Sequence, residues 1–172
     1  MSSADAFEIV NLINLYPVAV DSLSFDLFDR IFTEDAHVDF GGPAQWNDIE
    51  SLKRDFLAIH QPFRATHHKS GHHRVTVNGD QANSLAYVHA CFVRDVGEGG
   101  NIYEVRGWYD DSFRRTADGW RITRRTSRNI CATGNEKVLQ TMPGVTVDLT
   151  FDQLSVESAA GRVAYLEALR SS

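Results

Sequence analysis

The chain has only two cysteines in 172 residues, Cys91 and Cys131, and neither sits in a CxxC or zinc-knuckle spacing. That excludes a disulfide-built scaffold and a cysteine-held structural zinc, and two reduced thiols are the expectation. No apolar run approaches the ~20 residues that cross a bilayer. The opening MSSADAFEIVNLI lacks the basic-then-apolar order of a secretory leader. A cytoplasmic location and no membrane partner are therefore expected. Positive charge is short: 17 Lys and Arg stand against 23 Asp and Glu, for a net charge of −6. Binding phosphates demands clustered cations, so no nucleic-acid partner is expected. RRTSRNI (124–130) is a local basic run. Its charges alternate with Thr and Ser, as on a strand with one cationic face. There is no internal repeat, no low-complexity segment and no nucleophile motif.

What is present is an ordinary globular composition, long enough for one domain with its own hydrophobic core. The front half reads as helical. Ile9, Leu12, Ile13, Tyr16 and Val20 make one apolar stripe, with Ser2, Ser3 and Asp5 as candidate caps. Pro17 removes a backbone donor and should kink or end that helix. SFDLFDRIF (24–32) predicts a second helix through Phe25, Phe28 and Phe32, closed by TEDA, with HVDF (37–40) as a short strand. NDIESLKRDFLAIH (47–60) predicts a third, capped by Asn47 or Asp48 and burying Ile49, Leu52, Phe56 and Ile59.

Beyond residue 65 the period changes from 3.6 to 2. HRVTV (73–77), NSLAYVHACFVRD (83–95), NIYEVRGWYDDSFRR (101–115) and WRITRRTSRNIC (120–131) read as strands joined at NGD, GEGG and TADG. The fold class is α+β: a curved antiparallel sheet wrapped around N-terminal helices, cone-shaped, with a central pocket. Residues 1–131 form the cone, and residues 132–172 are a C-terminal extension of the same domain, with a helix at 156–170 despite Gly161.

THHKSGHH (66–73) places four histidines in eight positions. In an extended strand His68 and His72 point one way and His67 and His73 the other, unless Gly71 adds a bulge. No acidic residue in the run offers a third ligand, so no metal is expected. His67 and His73 are read as facing solvent. On the later strands Tyr103, Val105, Gly107, Tyr109 and Asp111 share a face, as do Ala86, Val88, Ala90 and Phe92. Gly107 would leave room for a ligand, and Tyr103 and Tyr109 would stack on or hydrogen-bond to a cyclic one. Tyr103, Val105, Tyr109, Val88 and Phe40 are the candidate substrate-binding residues, and Trp120 is assigned to the core.

The element order, with LYPVAVDSLSFDLFDRIFTEDAHVDFGG (15–42), GDQANSLAYVHACFV (79–93) and GWYDDSFRRTADGWRITRR (107–125), resembles the SnoaL-like domains of the nuclear transport factor 2-like superfamily. Within it the chain is most similar to the scytalone dehydratase, bile acid 7α-dehydratase and hexachlorocyclohexane dehydrochlorinase group. That resemblance implies an Asp after the first helix and a His before the meander, here Asp21 and His68, with Tyr16 matching a tyrosine of the bile acid enzyme. It implies a cofactor-independent lyase or isomerase. His68 would take a proton from carbon in a small apolar, cyclic substrate. Asp21 would orient His68, and Tyr16 would hydrogen-bond a leaving group or carbonyl. A homo-oligomer, dimer or trimer, is expected from relatives of the fold. A non-catalytic ligand-binding or assembly module of the same fold stands as the alternative, with Asp21 then only a helix cap. A hydrolytic site like that of limonene-epoxide hydrolase would need an Asp–Arg–Asp set, and none is legible.

Overall fold

The computed structural model describes residues 3–144, 146–147 and 149–171; Ser2, a candidate cap, lies outside them. Helix α1 (Ser3–Asp21) buries Ile9, Ile13, Tyr16, Ala19 and Val20. It does not end at Pro17. The burial of Ala19 and Val20 on the next turn offsets the lost backbone bond, and the helix closes only after Asp21. There the N–H of Leu23 donates to Val20 O (3.1 Å) and that of Ser24 to Ala19 O (2.9 Å), with Leu23 in the left-handed region at φ 56°. This is a Schellman-type closure with leucine in the position glycine usually takes. Asp5 does not cap; its carboxylate accepts from Arg115 and from Trp120 Nε1.

A 3₁₀ turn (Phe25–Leu27) and helix α2 (Phe28–Ile31) follow. Phe32 then opens strand β1 (Phe32–Asp39), so TEDA is strand and not a helix stop. Strand β2 (Gln45–Trp46) hairpins back on β1. Helix α3 (Ile49–His60) starts at Asp48, whose side chain accepts from Ser51 N. Its buried stripe is Ile49, Leu52, Phe56 and His60, ending on His60 where Ile59 was expected.

The meander is β3 (Ala65–Asn78), β4 (Gln81–Val93), β5 (Ile102–Thr116) and β6 (Gly119–Gly134). The sheet order is β2-β1-β6-β5-β4-β3. All neighbours are antiparallel except β1 and β6, which run parallel. The purely antiparallel expectation missed this pairing because helices and strand β1 precede the meander and feed back onto its last strand. The main core lies between the helices and the inner face of the sheet, through Phe25, Phe28, Phe32, Phe56, Tyr109 and Trp120.

The C-terminal extension packs against two parts of the cone. Val138 and Leu139, in a 3₁₀ turn, join Tyr103 and Val105 in a second apolar cluster. The helix expected at 156–170 is two, α4 (Leu154–Ala159) and α5 (Ala164–Arg170), because Gly161 turns the chain at φ 70°. Asp110, fully buried on β5, accepts the N–H groups of Ala164 (2.8 Å) and Tyr165 (2.9 Å), which seats α5 on the sheet. Among the described residues no helix is long and apolar enough to cross a membrane.

Candidate functional site

Asp21 is the last residue of α1, and the Schellman closure after it turns the chain away and leaves its carboxylate facing β3. Thr66 and His68, two apart on β3, present the same face to it. Thr66 Oγ1 donates to Asp21 Oδ1 at 2.8 Å, and the backbone N–H of His68 donates to Oδ2 at 2.8 Å. His68 Nδ1 lies 2.7 Å from Oδ1. A carboxylate here accepts three hydrogen bonds and caps no helix, which overturns the N-cap reading of Asp21. Burial pushes its pKa up, but the bonds from His68 and Thr66 outweigh that and hold it below the usual carboxylate value. The His68 side chain is 7% exposed and that of Asp21 23%. Among the described residues nothing hydrogen-bonds Nε2 of His68.

The bulge that Gly71 suggested is there: pairing with β4 slips between Gly71 and Arg74, and His72 takes φ 55°. The slip reverses the side-chain parity. His73, read as solvent-facing, is therefore half-buried, with Nε2 3.1 Å from Asn14 Oδ1 on α1, while His72 is exposed. The four histidines do not converge, and no group of three metal-binding side chains exists among the described residues.

The other candidates are spread through the interior. Tyr16 is buried between Phe28 (ring centroids 5.5 Å) and Tyr109 (5.9 Å), with no hydrogen bond to Asp21 or His68. Burial raises the Tyr16 phenol well above its ordinary pKa and pushes that of Tyr109 up to about 12. Phe40 stacks near Tyr109, and Val88 packs on the same cluster. Tyr103 and Val105 belong instead to the second cluster, which reaches His68 through Phe92, 5.4 Å from the His68 ring.

Gly107 makes no room for a ligand. It sits where β5 and β6 slip register, and a Cβ there would lie 2.0 Å from Arg128 O. Two clefts on the surface lie away from the Asp21–His68 pair. One is lined by Arg124, Arg128 and Arg162, the other by Asp29, Phe32 and Glu50. Aromatic rings and the Asp111–Arg125 pair are buried in the cone's interior.

That pair was missed in the sequence. Arg125, fully buried, donates through Nε (2.8 Å) and Nη2 (2.7 Å) to Asp111. Its guanidinium lies 4.3 Å from the Tyr16 ring centroid and 4.4 Å from that of Tyr109. Burial disfavours its charge, but Asp111 more than compensates, and its pKa is raised. Among the described residues Arg125 Nη1 has no hydrogen-bond partner, nor does Ser84 Oγ in the neighbouring row of β4. DD at 110–111 and RR at 124–125 flank one hairpin, which was the available signal. A slip between Ser112 and Phe113 decides which arginine turns inward. So RRTSRNI does not keep all its cations on one face.

Comparison with known proteins places these observations in a family. The sequence profile described as the SnoaL-like domain matches residues 1–126. The chain belongs to the SnoaL-like domain family. An uncharacterized protein of Mycobacterium tuberculosis is 36% identical over 128 residues, spanning 71% of this chain and 83% of that one. A Kribbella flavida protein of known crystal structure superposes with a TM-score of 0.72 at 30% identity, covering 76% of this chain and 93% of its own. The type 2 hexachlorocyclohexane dehydrochlorinase shares the fold with a TM-score of 0.68 at 18% identity, over 83% of this chain and 96% of the enzyme. The six-stranded curved sheet with its N-terminal helix is the nuclear transport factor 2-like cone.

Proposed function

We propose that this SnoaL-like protein is a cofactor-independent lyase or isomerase that removes a proton from carbon in a small, largely apolar, cyclic substrate. One observation carries the reading. A partly buried carboxylate lies 2.7 Å from one nitrogen of a nearly buried imidazole, and the other nitrogen has no hydrogen-bond partner among the described residues. Asp21 can only accept, so Nδ1 of neutral His68 carries the proton and Nε2 presents its lone pair. Nε2 takes the substrate proton, and Asp21 stabilises the imidazolium that forms. In an elimination the C–H electron pair becomes a double bond and expels hydroxide or halide. In an isomerisation the proton returns at another carbon.

A single imidazole base contributes ~10²–10⁴-fold, so the substrate needs a proton acidified by a carbonyl or ring. Arg125, through its Nη1, and the phenols of Tyr16 and Tyr109 are the candidate donors to a leaving group or carbonyl oxygen. The dehydrochlorinase on the same fold supports elimination chemistry. Two unpaired cysteines suit a reducing compartment, and the cytoplasm is the location proposed.

The test is turnover in D₂O of cyclic β-hydroxy ketones and chlorinated cyclohexanes. The expected result is product or incorporated deuterium with the native chain, and none with His68→Ala. A blank across the panel would sink the enzyme reading in favour of a second one, a binding or assembly module. The aromatic rings buried in the cone's interior favour that second reading. Tyr87 and Ile130, exposed on the strands, offer surface for self-association as a dimer or trimer, which light scattering would measure.

A further inference from the structure

His60 is a buried titratable group with no part in the chemistry above. It ends α3, and its Nδ1 lies 2.8 Å from the carbonyl oxygen of Phe56. A carbonyl oxygen only accepts, so Nδ1 carries the proton and Nε2 is left as an acceptor. Burial holds its pKa down to about 4, and the ring stays neutral at pH 7. Among the described residues nothing hydrogen-bonds this Nε2, and the atom is not among those sealed from solvent. The ring lies 6.2 Å from that of His68, tilted by 45°. Phe25 (5.9 Å), Phe56 (5.1 Å), Phe63 (5.9 Å) and Phe92 (6.5 Å) surround it. Two imidazoles thus bring unbonded nitrogens into one aromatic neighbourhood, and only one of them is held by a carboxylate.

We infer that His60 is a specificity residue of this site: its Nε2 accepts a hydrogen bond from a substrate hydroxyl, so the site takes a hydroxylated carbocycle. The inference rests on reading His68 as the base of the same site. A neutral acceptor cannot protonate a departing oxygen. The hydroxyl His60 holds is therefore one that the product keeps, and the leaving group lies elsewhere. Among apolar rings, a lone buried acceptor favours those that carry a donor, because a ligand without one leaves it unpaired.

The test uses phenol and anisole, a matched pair with and without a donor, titrated into the full-length ¹⁵N-histidine-labelled protein. One neutral hydrogen bond corresponds to a preference for phenol of about five- to tenfold. In His60→Phe that preference disappears while anisole binding persists, and His60→Gln, which retains an acceptor, restores part of it. In the native chain the unprotonated nitrogen of His60 shifts with phenol and not with anisole, a readout that needs no variant to fold. Equal binding of the two probes, a preference that survives His60→Phe, or no binding of either at millimolar concentration overturns the proposal. The two readings fail separately. A His60-dependent phenol preference without any turnover keeps the hydroxyl site and removes the proton-abstraction reading. Turnover without that preference removes only the hydroxyl site.

Discussion

Asp21 Oδ1 sits 2.7 Å from His68 Nδ1, while Asp21 Oδ2 takes the backbone N–H of the same histidine at 2.8 Å. One carboxylate therefore holds both the ring and the strand that carries it. Asp21→Asn keeps the shape, but its amide can meet the ring nitrogen with the wrong polarity and cannot balance an imidazolium. On any substrate found, kcat is expected to fall by ~10²-fold or more with KM little changed. A variant with unchanged kcat would remove Asp21 from the mechanism.

The depressed pKa of His60 predicts an acid-sensitive fold. Its folded pKa, about 4, lies below the ordinary 6.5 because burial disfavours the charged ring. Between those values the unfolded chain binds the extra proton, so stability falls as pH drops from about 6.5 to about 4. The loss is on the order of 3 kcal/mol. Urea unfolding as a function of pH should show this slope in the native chain and a flatter one in His60→Phe.

Arg125 and Asp111 are both almost fully buried and hydrogen-bonded at 2.7 and 2.8 Å. Asp111→Ala leaves a guanidinium uncompensated among aromatic rings. Chemical denaturation should report a loss of about 3–5 kcal/mol, and Arg125→Met combined with Asp111→Leu should recover much of it.

At Gly107 the β5–β6 backbones approach so closely that a Cβ would meet Arg128 O at 2.0 Å. Gly107→Ala forces strands apart at the bulge and should cost about 1–3 kcal/mol or more. A thermal melt unchanged from the native one would contradict this geometry.

Asp110 anchors α5 through the N–H groups of Ala164 and Tyr165. Asp110→Ala should loosen that helix without disturbing the Asp21–His68 contact. Hydrogen exchange would speed up across 164–170 and stay slow across 66–70.

Much of this was legible in the chain. The period change after residue 65 separates helices from meander. Apolar stripes identify the α1 and α3 faces, and the resemblance pointed to Asp21 and His68, which the fold brings into contact. Thr66 shares a face with His68 by simple alternation, yet its bond to Asp21 depends on where α1 ends. His60 continues the α3 stripe at i+4 from Phe56 and was readable as buried, though not as a neighbour of His68.

Alternation and periodicity are local, and by themselves they determined the α+β class, the strand order within the meander and most of the core. The tertiary structure decided whatever depended on a one-residue slip or on distant packing. The slip at Gly71 turned His73 inward, and the slip beside Phe113 put Arg125 in the core. Burial of Ala19 and Val20 carried α1 past Pro17. The parallel return of β1 to β6 closed the sheet. Each bulge reverses every side chain beyond it, so a pattern of period two loses its phase until the pairing partner is known.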